Sequence, residues 1–294
     1  MSKRRLIQLV EDQIVSGWDD PRMPTLAGMR RRGYPPAALR EFCRRVGVTK
    51  KHNLIEMAAL ENCIRENLDH AAPRRMAVIR PLKVVITNYP DGQTEDMPAL
   101  NHPNRPELGS RDLPFCREIY IEQTDFMEDA PRKFFRLKPG GEVRLRYAYI
   151  IRCDEVVKDD TGRVTELHCS YDPDTRSGSG TSDRKVKGTI HWVSAGHAVA
   201  AEVRLYDRLF NVPDPAASDD VMKHLNPDSL EIVAAQGEPS LGEKDEAGPF
   251  QFERLGYFLR DALDAKAGKP VFNRIVTLRD SWAKIEKQAL QQRS

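Results

Sequence analysis

The chain has 294 residues, 31% of them charged, and a net charge of +2 at pH 7, which is ordinary for a water-soluble globular protein of one or two domains. No apolar run approaches the roughly 20 residues that span a bilayer, and no apolar stretch follows the basic N-terminus as in a secretory signal. These values exclude a helical membrane protein, and we expect a cytoplasmic one.

Cysteine and histidine usage predicts reduced thiols and no metal site. The five cysteines are widely spaced without a CxxC pair, and the seven histidines show neither HxxxH nor HExxH spacing. An odd number of scattered cysteines argues against a disulfide framework, and these spacings argue against zinc.

Basic residues are concentrated near the N-terminus. Residues 1–52 have a net charge of +7, whereas the remaining 242 residues have a net charge of −5. A basic region ahead of a balanced body is a weak indication of a polyanionic partner, and solvated helix faces produce the same pattern.

The first 73 residues carry the start and stop signals of helices. Thr25 can cap a short helix that contains three consecutive arginines and ends at Gly33. Pro36 suits the start of a second helix that ends at Gly47. The stretch NLIE (53–56) resembles a capping box that opens a longer helix.

After Pro73 the pattern changes to short alternating or β-branched runs separated by turn residues. No long helix intervenes, which predicts antiparallel sheets, and about 200 residues of strand indicates two barrels. We expect loops or boundaries at residues 172–185 and 237–249, and an irregular loop over residues 89–114.

The stretch GEVRLRYAYIIR (141–152) alternates as one β-strand with a buried apolar face. Arg144 and Arg146 share its other face. Nearby basic and aromatic residues are Lys133, Phe134, Phe135, Arg136, Tyr147, Tyr149 and Arg152. Guanidinium groups among aromatic rings suit single-stranded RNA, because they pair with base edges and stack on base faces. A half-buried strand with a polar outer face gives the same alternation, and the pattern alone favours it.

Several stretches, in order and over nearly the whole chain, resemble the C-terminal half of bacterial glutaminyl-tRNA synthetases of class I. They are GWDDPRMPTLAGMRRRGYPPAALREFCRRVGVTK (17–50), PRRMAVIRPLKVVI (73–86), NHPNRPELGSRDLPF (101–115), VKGTIHWVSAGHA (186–198), EVRLYDRLF (202–210) and FQFERLGYF (250–258). The stretch WDDPRMPT followed by RRRGY points to the glutamyl and glutaminyl branch, and VKGTIHWVS with QFER favours the glutaminyl side.

The opening MSK resembles the family's signature loop, which closes over ATP. The resemblance assigns Lys3 to the ATP phosphates, with Ser2 before it. No HIGH-like tetrapeptide is present, so we expect a fragment, a truncated product or half of a split protein that is inactive alone. It would bind no cofactor itself, although ATP and Mg²⁺ are expected for the full-length enzyme.

The resemblance also implies an α+β architecture, in which an N-terminal helical subdomain precedes two antiparallel anticodon-binding β-barrels. The expected bounds are residues 1–73 for the helical subdomain, 74–180 plus 258–294 for the proximal barrel, and 181–257 for the distal barrel. The C-terminal segment is thus expected to return to the proximal barrel.

Carried over position by position, the resemblance implies which residues contact the anticodon. Arg74, Gln251 and Arg254 match residues that read the middle base. Arg146 matches the reader of the first base, with Arg144 beside it, and Arg136 matches a reader of the third base. Lys133 and Phe135 depart from the family pattern, which has glutamine and lysine there, so Phe135 is expected to stack on a base instead.

Other arginines are candidates for the tRNA backbone, namely Arg22, Arg30, Arg31 and Arg32. Arg22 lies near the signature loop, but its WDDPRMP context also suits a tight turn closed by aspartates, and we favour the turn. For the other three, a phosphate contact and a solvated helix face are equally compatible, and neither gives base specificity.

The leading hypothesis is therefore the tRNA-Gln-recognising part of a glutamine–tRNA ligase, a monomer that works with a missing N-terminal catalytic domain and without membrane or DNA. One alternative is a free-standing RNA-binding module with the same barrel, as in ribosomal proteins that bind 5S rRNA. The other is the C-terminal half of a glutamyl-tRNA synthetase.

Overall fold

The structure, a computed structural model, describes residues 2–48, 50, 54–179, 184–218, 220–243, 248–265 and 269–279. A helical region is followed by two curled, barrel-like sheets of seven strands each, which confirms the predicted α+β architecture. Within the described residues, every helix is too short or too polar to cross a bilayer.

The described residues of the N-terminal region form four α-helices: α1 (Lys3–Glu11), α2 (Leu26–Arg32), α3 (Pro36–Val46) and α4 (Met57–Ala71). The Thr25 hydroxyl accepts a hydrogen bond from the Gly28 N–H at 2.9 Å, and Gly33 ends α2 at a φ of 101°. Both caps are as predicted. The predicted capping box differs, because Glu56 is the N-cap of α4 and Asn53 lies outside the described residues.

Sixteen strands follow in the part of the chain that the structure describes. They are β1 (Arg74–Arg75), β2 (Ala77–Ile79), β3 (Pro81–Ile86), β4 (Thr94–Leu100), β5 (Ser110–Cys116), β6 (Glu118–Glu122), β7 (Glu142–Leu145), β8 (Ile150–Lys158), β9 (Val164–Asp172), β10 (Thr189–Ile190), β11 (Val193–Ser194), β12 (Val199–Tyr206), β13 (Leu230–Gly237), β14 (Pro249–Phe252), β15 (Gly256–Arg260) and β16 (Val271–Thr277).

Each large sheet curls because its two edge strands are neighbours in the chain. One sheet has the order β1-β14-β15-β16-β12-β13-β2, and only Met76 separates its edges. The other has the order β10-β7-β8-β9-β3-β6-β11, and only His191 and Trp192 separate its edges. We call the first the proximal barrel (74–79 and 199–277) and the second the distal barrel (81–194).

Each barrel has its own apolar core. Phe252, Phe258 and Phe272 form an aromatic cluster inside the proximal barrel, and Phe115 packs edge-on against Trp192 in the distal one. The helices pack on the proximal barrel, where buried residues of β15 and β16 meet buried residues of α4 and its neighbours. The proximal barrel therefore links the helical region to the distal barrel.

The observed sheets divide the chain differently from the predicted bounds. Strand β16 does lie in one sheet with β1 and β2, but β3, β6, β7, β8 and β9 belong to the other large sheet, and β4 and β5 form a separate two-stranded sheet. Strands β12 to β14 belong to the proximal barrel. The chain leaves the proximal barrel at Arg80, whose φ is 66°. Arg80 is a single left-handed residue inside the run AVIRPLKVVI and is not a turn-forming residue type. The sequence pattern therefore does not predict that the chain passes from one barrel to the other here.

The sequence predicts an irregular loop over residues 89–114, but residues 94–100 and 110–114 lie in the paired strands β4 and β5 of a hairpin. Met97, Ala99, Leu113 and Phe115 are buried on one face of it. Its prolines suggested a loop. Proline is tolerated here because the sheet has only two strands, so a missing N–H can face outward.

The stretch 141–152 is a hairpin and not the single strand that its alternation predicts. Strand β7 ends at Leu145, the chain turns at residues 146–148, and β8 starts at Ile150. Tyr147 occupies the turn with a φ of 64°. An aromatic residue is uncommon in that conformation. Because the turn contains no glycine, proline or asparagine, the sequence carries no signal that predicts it.

Candidate nucleic-acid interface

Three chain segments meet where the two barrels join. They are the segment 123–137 before β7, the β7–β8 turn at 146–148 and the β14–β15 turn at 253–255. The distal barrel supplies the first two segments and the proximal barrel supplies the third. This junction holds most of the residues predicted to contact the anticodon.

Asp125 gathers two of the predicted arginines. Its carboxylate, only 1% exposed, accepts hydrogen bonds from Arg254 Nη2 on Oδ1 at 2.7 Å and from Arg254 Nη1 on Oδ2 at 2.5 Å. Arg136 Nε lies 3.3 Å from the same Oδ1, and Arg254 Nη1 lies 3.1 Å from His191 Nδ1. A buried carboxylate with two cationic partners fixes both guanidinium groups.

Arg146 has a carboxylate partner of its own. Its Nε lies 3.0 Å from Oε1 of the buried Glu253, and its guanidinium lies 5.0 Å from the centre of the Tyr147 ring. Burial acts to lower the pKa of Arg146, but the charges and hydrogen bonds of Glu253 and Tyr147 together outweigh it and raise that pKa. The guanidinium is therefore charged and oriented, with about a third of the side chain exposed.

Two turns at the junction have a strained backbone. Tyr147 and Arg254 have φ values of 64° and 67°, a conformation that costs a non-glycine residue of order 1–3 kcal/mol. The Trp192 indole N–H donates to the Arg146 carbonyl at 2.9 Å, which holds the first turn in place. Such strain persists where the surrounding structure determines it, and it is concentrated at functional sites.

Exposed aromatic and basic groups lie beside these arginines. Phe135 is 51% exposed, and Lys187 Nζ lies 5.5 Å from the centre of its ring. Arg136 lies over Phe134 at 5.8 Å, and Lys133 is exposed. An exposed ring with a cation against one face is a surface on which an unstacked base can stack.

Arg144 points to a different place from Arg146. Its guanidinium donates to the carbonyl oxygens of Thr175 at 2.7 Å and Arg184 at 3.1 Å. It lines an open cavity of about 400 Å³ with Ser177, Gly178, Arg184, Lys185 and Val186. The cavity is basic, so it suits a phosphate group better than a base edge.

Strand pairing places Arg74 opposite Gln251. The Arg74 guanidinium, however, is buried and donates to the Ala72 carbonyl at 2.7 Å and to the Asp69 carboxylate at 3.0 Å. It thus caps the C-terminus of α4, where a cation complements exposed carbonyls. Gln251 Oε1 is buried without a hydrogen-bond partner among the described residues.

The candidate backbone arginines mostly have internal partners. Arg22 donates to Asp20 and to the Ser229 hydroxyl at 3.1 Å, and its side chain is 11% exposed. Burial acts to raise the pKa of Asp20, but hydrogen bonds from Arg22 and the backbone outweigh it, so that pKa lies below the usual value. These contacts are those of the structural interpretation, a turn closed by Asp20.

The three consecutive arginines of α2 differ in how far they are exposed to solvent. Arg31 forms ion pairs with Asp19, Asp261 and Asp264. Arg32 is buried, with its Nε donating to the Ile275 carbonyl at 3.2 Å. Arg30 is exposed and remains accessible to a phosphate. At the start of α1, Ser2 and Lys3 are also exposed.

Sequence reasoning missed the residues that hold the arginines. Glu253 lies inside the quoted QFER stretch and His191 inside VKGTIHWVS, yet neither was given a role, and Asp125 lies in an irregular segment with no pattern. Most of their partners are distant in the chain, since Arg254 lies 129 positions from Asp125 and 63 from His191. No described cluster of His, Cys, Asp and Glu could hold a metal ion.

Two curled sheets that present arginines and exposed rings at their junction, on a helical base, define a barrel pair of the anticodon-binding type. The family description "tRNA synthetases class I (E and Q), anti-codon binding domain" matches residues 72–172 and 189–261. The description of the catalytic domain in the same family matches residues 1–70. The chain belongs to the class I tRNA synthetases of the E and Q type.

Curated relatives match over nearly the whole chain. It is 57% identical to the glutamine–tRNA ligase of Bradyrhizobium diazoefficiens over 285 residues, which is 97% of this chain and 51% of that protein. The same enzyme of Rhodopirellula baltica is 57% identical over 289 residues, 97% of this chain and 48% of that protein, and that of Vibrio vulnificus is 54% identical over 286 residues, 97% and 51%. The chain thus spans about half the length of these relatives.

Proposed function

We propose that this chain recognises the anticodon of tRNA-Gln as the C-terminal part of a glutamine–tRNA ligase. The observation that carries the proposal is the junction itself, where Arg136, Arg146 and Arg254 are all partly exposed and all held by buried carboxylates. Fixed guanidinium groups at a junction of two rigid barrels can meet unstacked loop nucleotides without a large ordering cost.

Each guanidinium keeps donors for a base. An arginine has five N–H groups, and Arg254 uses two on Asp125 and one toward His191. The described contacts leave its Nε–H and one Nη2–H for the edge of the middle base. By the same count, Nη2 of Arg136 is left for the third base. Arg146 reads the first base, and the Phe135 ring stacks on a base. We propose that Lys133, Arg144, Arg74 and Gln251 also contribute to binding of the anticodon.

The whole reaction would join L-glutamine to tRNA-Gln at the expense of ATP, giving AMP and diphosphate. Lys3 is exposed and suits the signature-loop role, in which an ammonium group stabilises charge on the phosphates. The chain has no HIGH-like tetrapeptide, so we infer that these 294 residues bind tRNA as a cytoplasmic monomer without aminoacylating it alone. Mg²⁺ would accompany ATP in the full-length enzyme.

The test is binding of tRNA-Gln transcripts altered at one anticodon base at a time. We expect each change to weaken binding about tenfold, the loss of roughly one charge-assisted hydrogen bond. Equal affinities for all transcripts, falling steeply with salt, would mean phosphate contacts alone and would contradict the proposal. A tRNA-Glu transcript tests the glutamyl alternative, because glutamine and glutamate codons differ at the letter that pairs with the third anticodon base.

A further inference from the structure

We propose that Asp125 is a positioning residue that makes the readout of the middle and third anticodon bases interdependent. This inference rests on the proposed function, which assigns Arg254 to the middle base and Arg136 to the third. It adds a residue outside the predicted readers and an energetic consequence that base assignments alone do not contain.

The two guanidinium groups share one oxygen. Oδ1 of Asp125 accepts from Arg254 Nη2 at 2.7 Å and lies 3.3 Å from Arg136 Nε. Arg254 comes from the proximal barrel and Arg136 from the distal barrel, so this carboxylate also joins the two halves of the site. If one guanidinium group shifts toward its base, its contact with Oδ1 weakens, and Oδ1 can then interact more strongly with the other guanidinium group.

The surroundings leave Asp125 little freedom to separate these effects. It is 1% exposed, and the Leu137 N–H donates to its backbone carbonyl at 2.9 Å. Arg136 is tied in addition to the Thr124 carbonyl at 2.8 Å, and Arg254 to His191 at 3.1 Å. Groups with a shared partner show non-additive energies.

The reader of the first base is held separately. Arg146 pairs with Glu253, and the described contacts include none between Arg146 and Asp125. Groups without shared partners contribute additively within a few tenths of a kcal/mol. The first and third bases therefore provide an internal reference for additivity within the same site.

The experiment measures dissociation constants of the wild-type chain for tRNA-Gln transcripts changed at the middle base, the third base or both. We expect the double change to weaken binding about tenfold less than the product of the two single effects. A matched pair, changed at the first and third bases, should agree with its product within about twofold. Agreement with the product for the middle and third bases in the wild type would overturn the proposal.

The variant Asp125→Asn keeps one acceptor oxygen and removes the charge. In this variant the middle and third penalties should shrink and become additive. Glu238→Gln is the matched control, because Glu238 is a buried carboxylate (2% exposed) that joins the barrels through Arg111 without touching a predicted reader. It should keep the wild-type coupling. If all transcripts bind equally, the proposed function itself fails; if the penalties are present but uncoupled, only the role of Asp125 fails.

Discussion

The arginines of this chain differ in what surrounds them, although their sequence contexts look alike. Arg32 and Arg74 are buried against backbone carbonyls, whereas Arg146 and Arg254 are partly exposed and paired with buried carboxylates. An arginine has five donors, and distant residues decide which of them are satisfied internally. The residue type therefore suggested a polyanionic partner, but only the contacts show how much of each guanidinium group is left accessible to a nucleotide.

Replacing Arg146 tests this distinction at the first base. Arg146→Ala should weaken binding of unmodified tRNA-Gln by about tenfold, since a charge-assisted hydrogen bond is lost, and it should abolish the penalty for changing the first base. Arg152→Ala is the control, because Arg152 is exposed on the same hairpin. Binding measured by filter retention suffices. An unchanged first-base penalty in Arg146→Ala would remove this residue from the site.

Arg22 should behave as a structural residue. Arg22→Ala leaves the Asp20 carboxylate buried without its ion-pair partner, which typically costs about 3–5 kcal/mol. Urea unfolding should show this loss, while the exposed Arg40→Ala should change stability by less than about 0.5 kcal/mol. Wild-type stability combined with weaker tRNA binding would instead identify Arg22 as a phosphate contact.

At the level of elements, the sequence predicted those features that depend on residues close together in the chain. The cap at Thr25 and the stop at Gly33 depend on nearby backbone groups, and both were predicted. The β7–β8 hairpin and the crossover at Arg80 depend on tertiary contacts that hold non-glycine residues at positive φ. Alternation of side chains continues through such a turn, so it predicted buried faces correctly and connectivity wrongly.

The cross-strand pair on β8 and β9 gives a pH-dependent contribution. His168 lies between Glu155 on β8 and Glu166 on β9, with ring nitrogens 3.1 and 2.8 Å from their carboxylate oxygens. The hydrogen bond to Glu166, with help from Glu155, raises the pKa of His168 above its usual 6.5 although burial opposes it. Its stabilisation is therefore complete below the unfolded-state pKa and is lost as pH rises through the higher folded-state pKa.

The variant His168→Gln tests the predicted direction in which this contribution to stability changes with pH. The stability difference between wild type and variant should be largest at pH 5.5 and should vanish by pH 9, with a magnitude below about 1 kcal/mol because the pair is near the surface. Unfolding curves at several pH values measure it. His70→Gln is the control, since His70 is exposed. A difference that grows with pH would contradict the assignment.

At the scale of the whole molecule, buried carboxylates join the two barrels. Glu122 of the distal barrel accepts from the Ile79 N–H, and Glu238 of the proximal barrel accepts from Arg111 Nη2 at 2.8 Å. With Asp125 and Glu253, these contacts make the junction a rigid place for a binding site. The helices of the basic N-terminal region pack on residues of the proximal barrel and its loops, and we predict that this region adds charge without reading bases.

Arg30 tests that separation of roles. Arg30→Ala should weaken binding of all anticodon variants by the same factor and should reduce the slope of log K against log salt by about 0.7–0.9, the value for one phosphate contact. The anticodon penalties should stay unchanged. Titrations between 50 and 200 mM salt measure both quantities. An unchanged slope would leave Arg30 as a solvated helix residue.

The sequence by itself determined the helical region, the change to short strands after Pro73 and the buried faces, because these follow from local periodicity and capping. It also indicated the arginines and rings that the junction gathers. Only the tertiary structure decided which strands share a barrel, where the chain turns at Tyr147 and Arg254, and which carboxylate holds which arginine. Those outcomes depend on contacts between residues far apart in the chain, such as Arg254 with Asp125, and no local pattern encodes them.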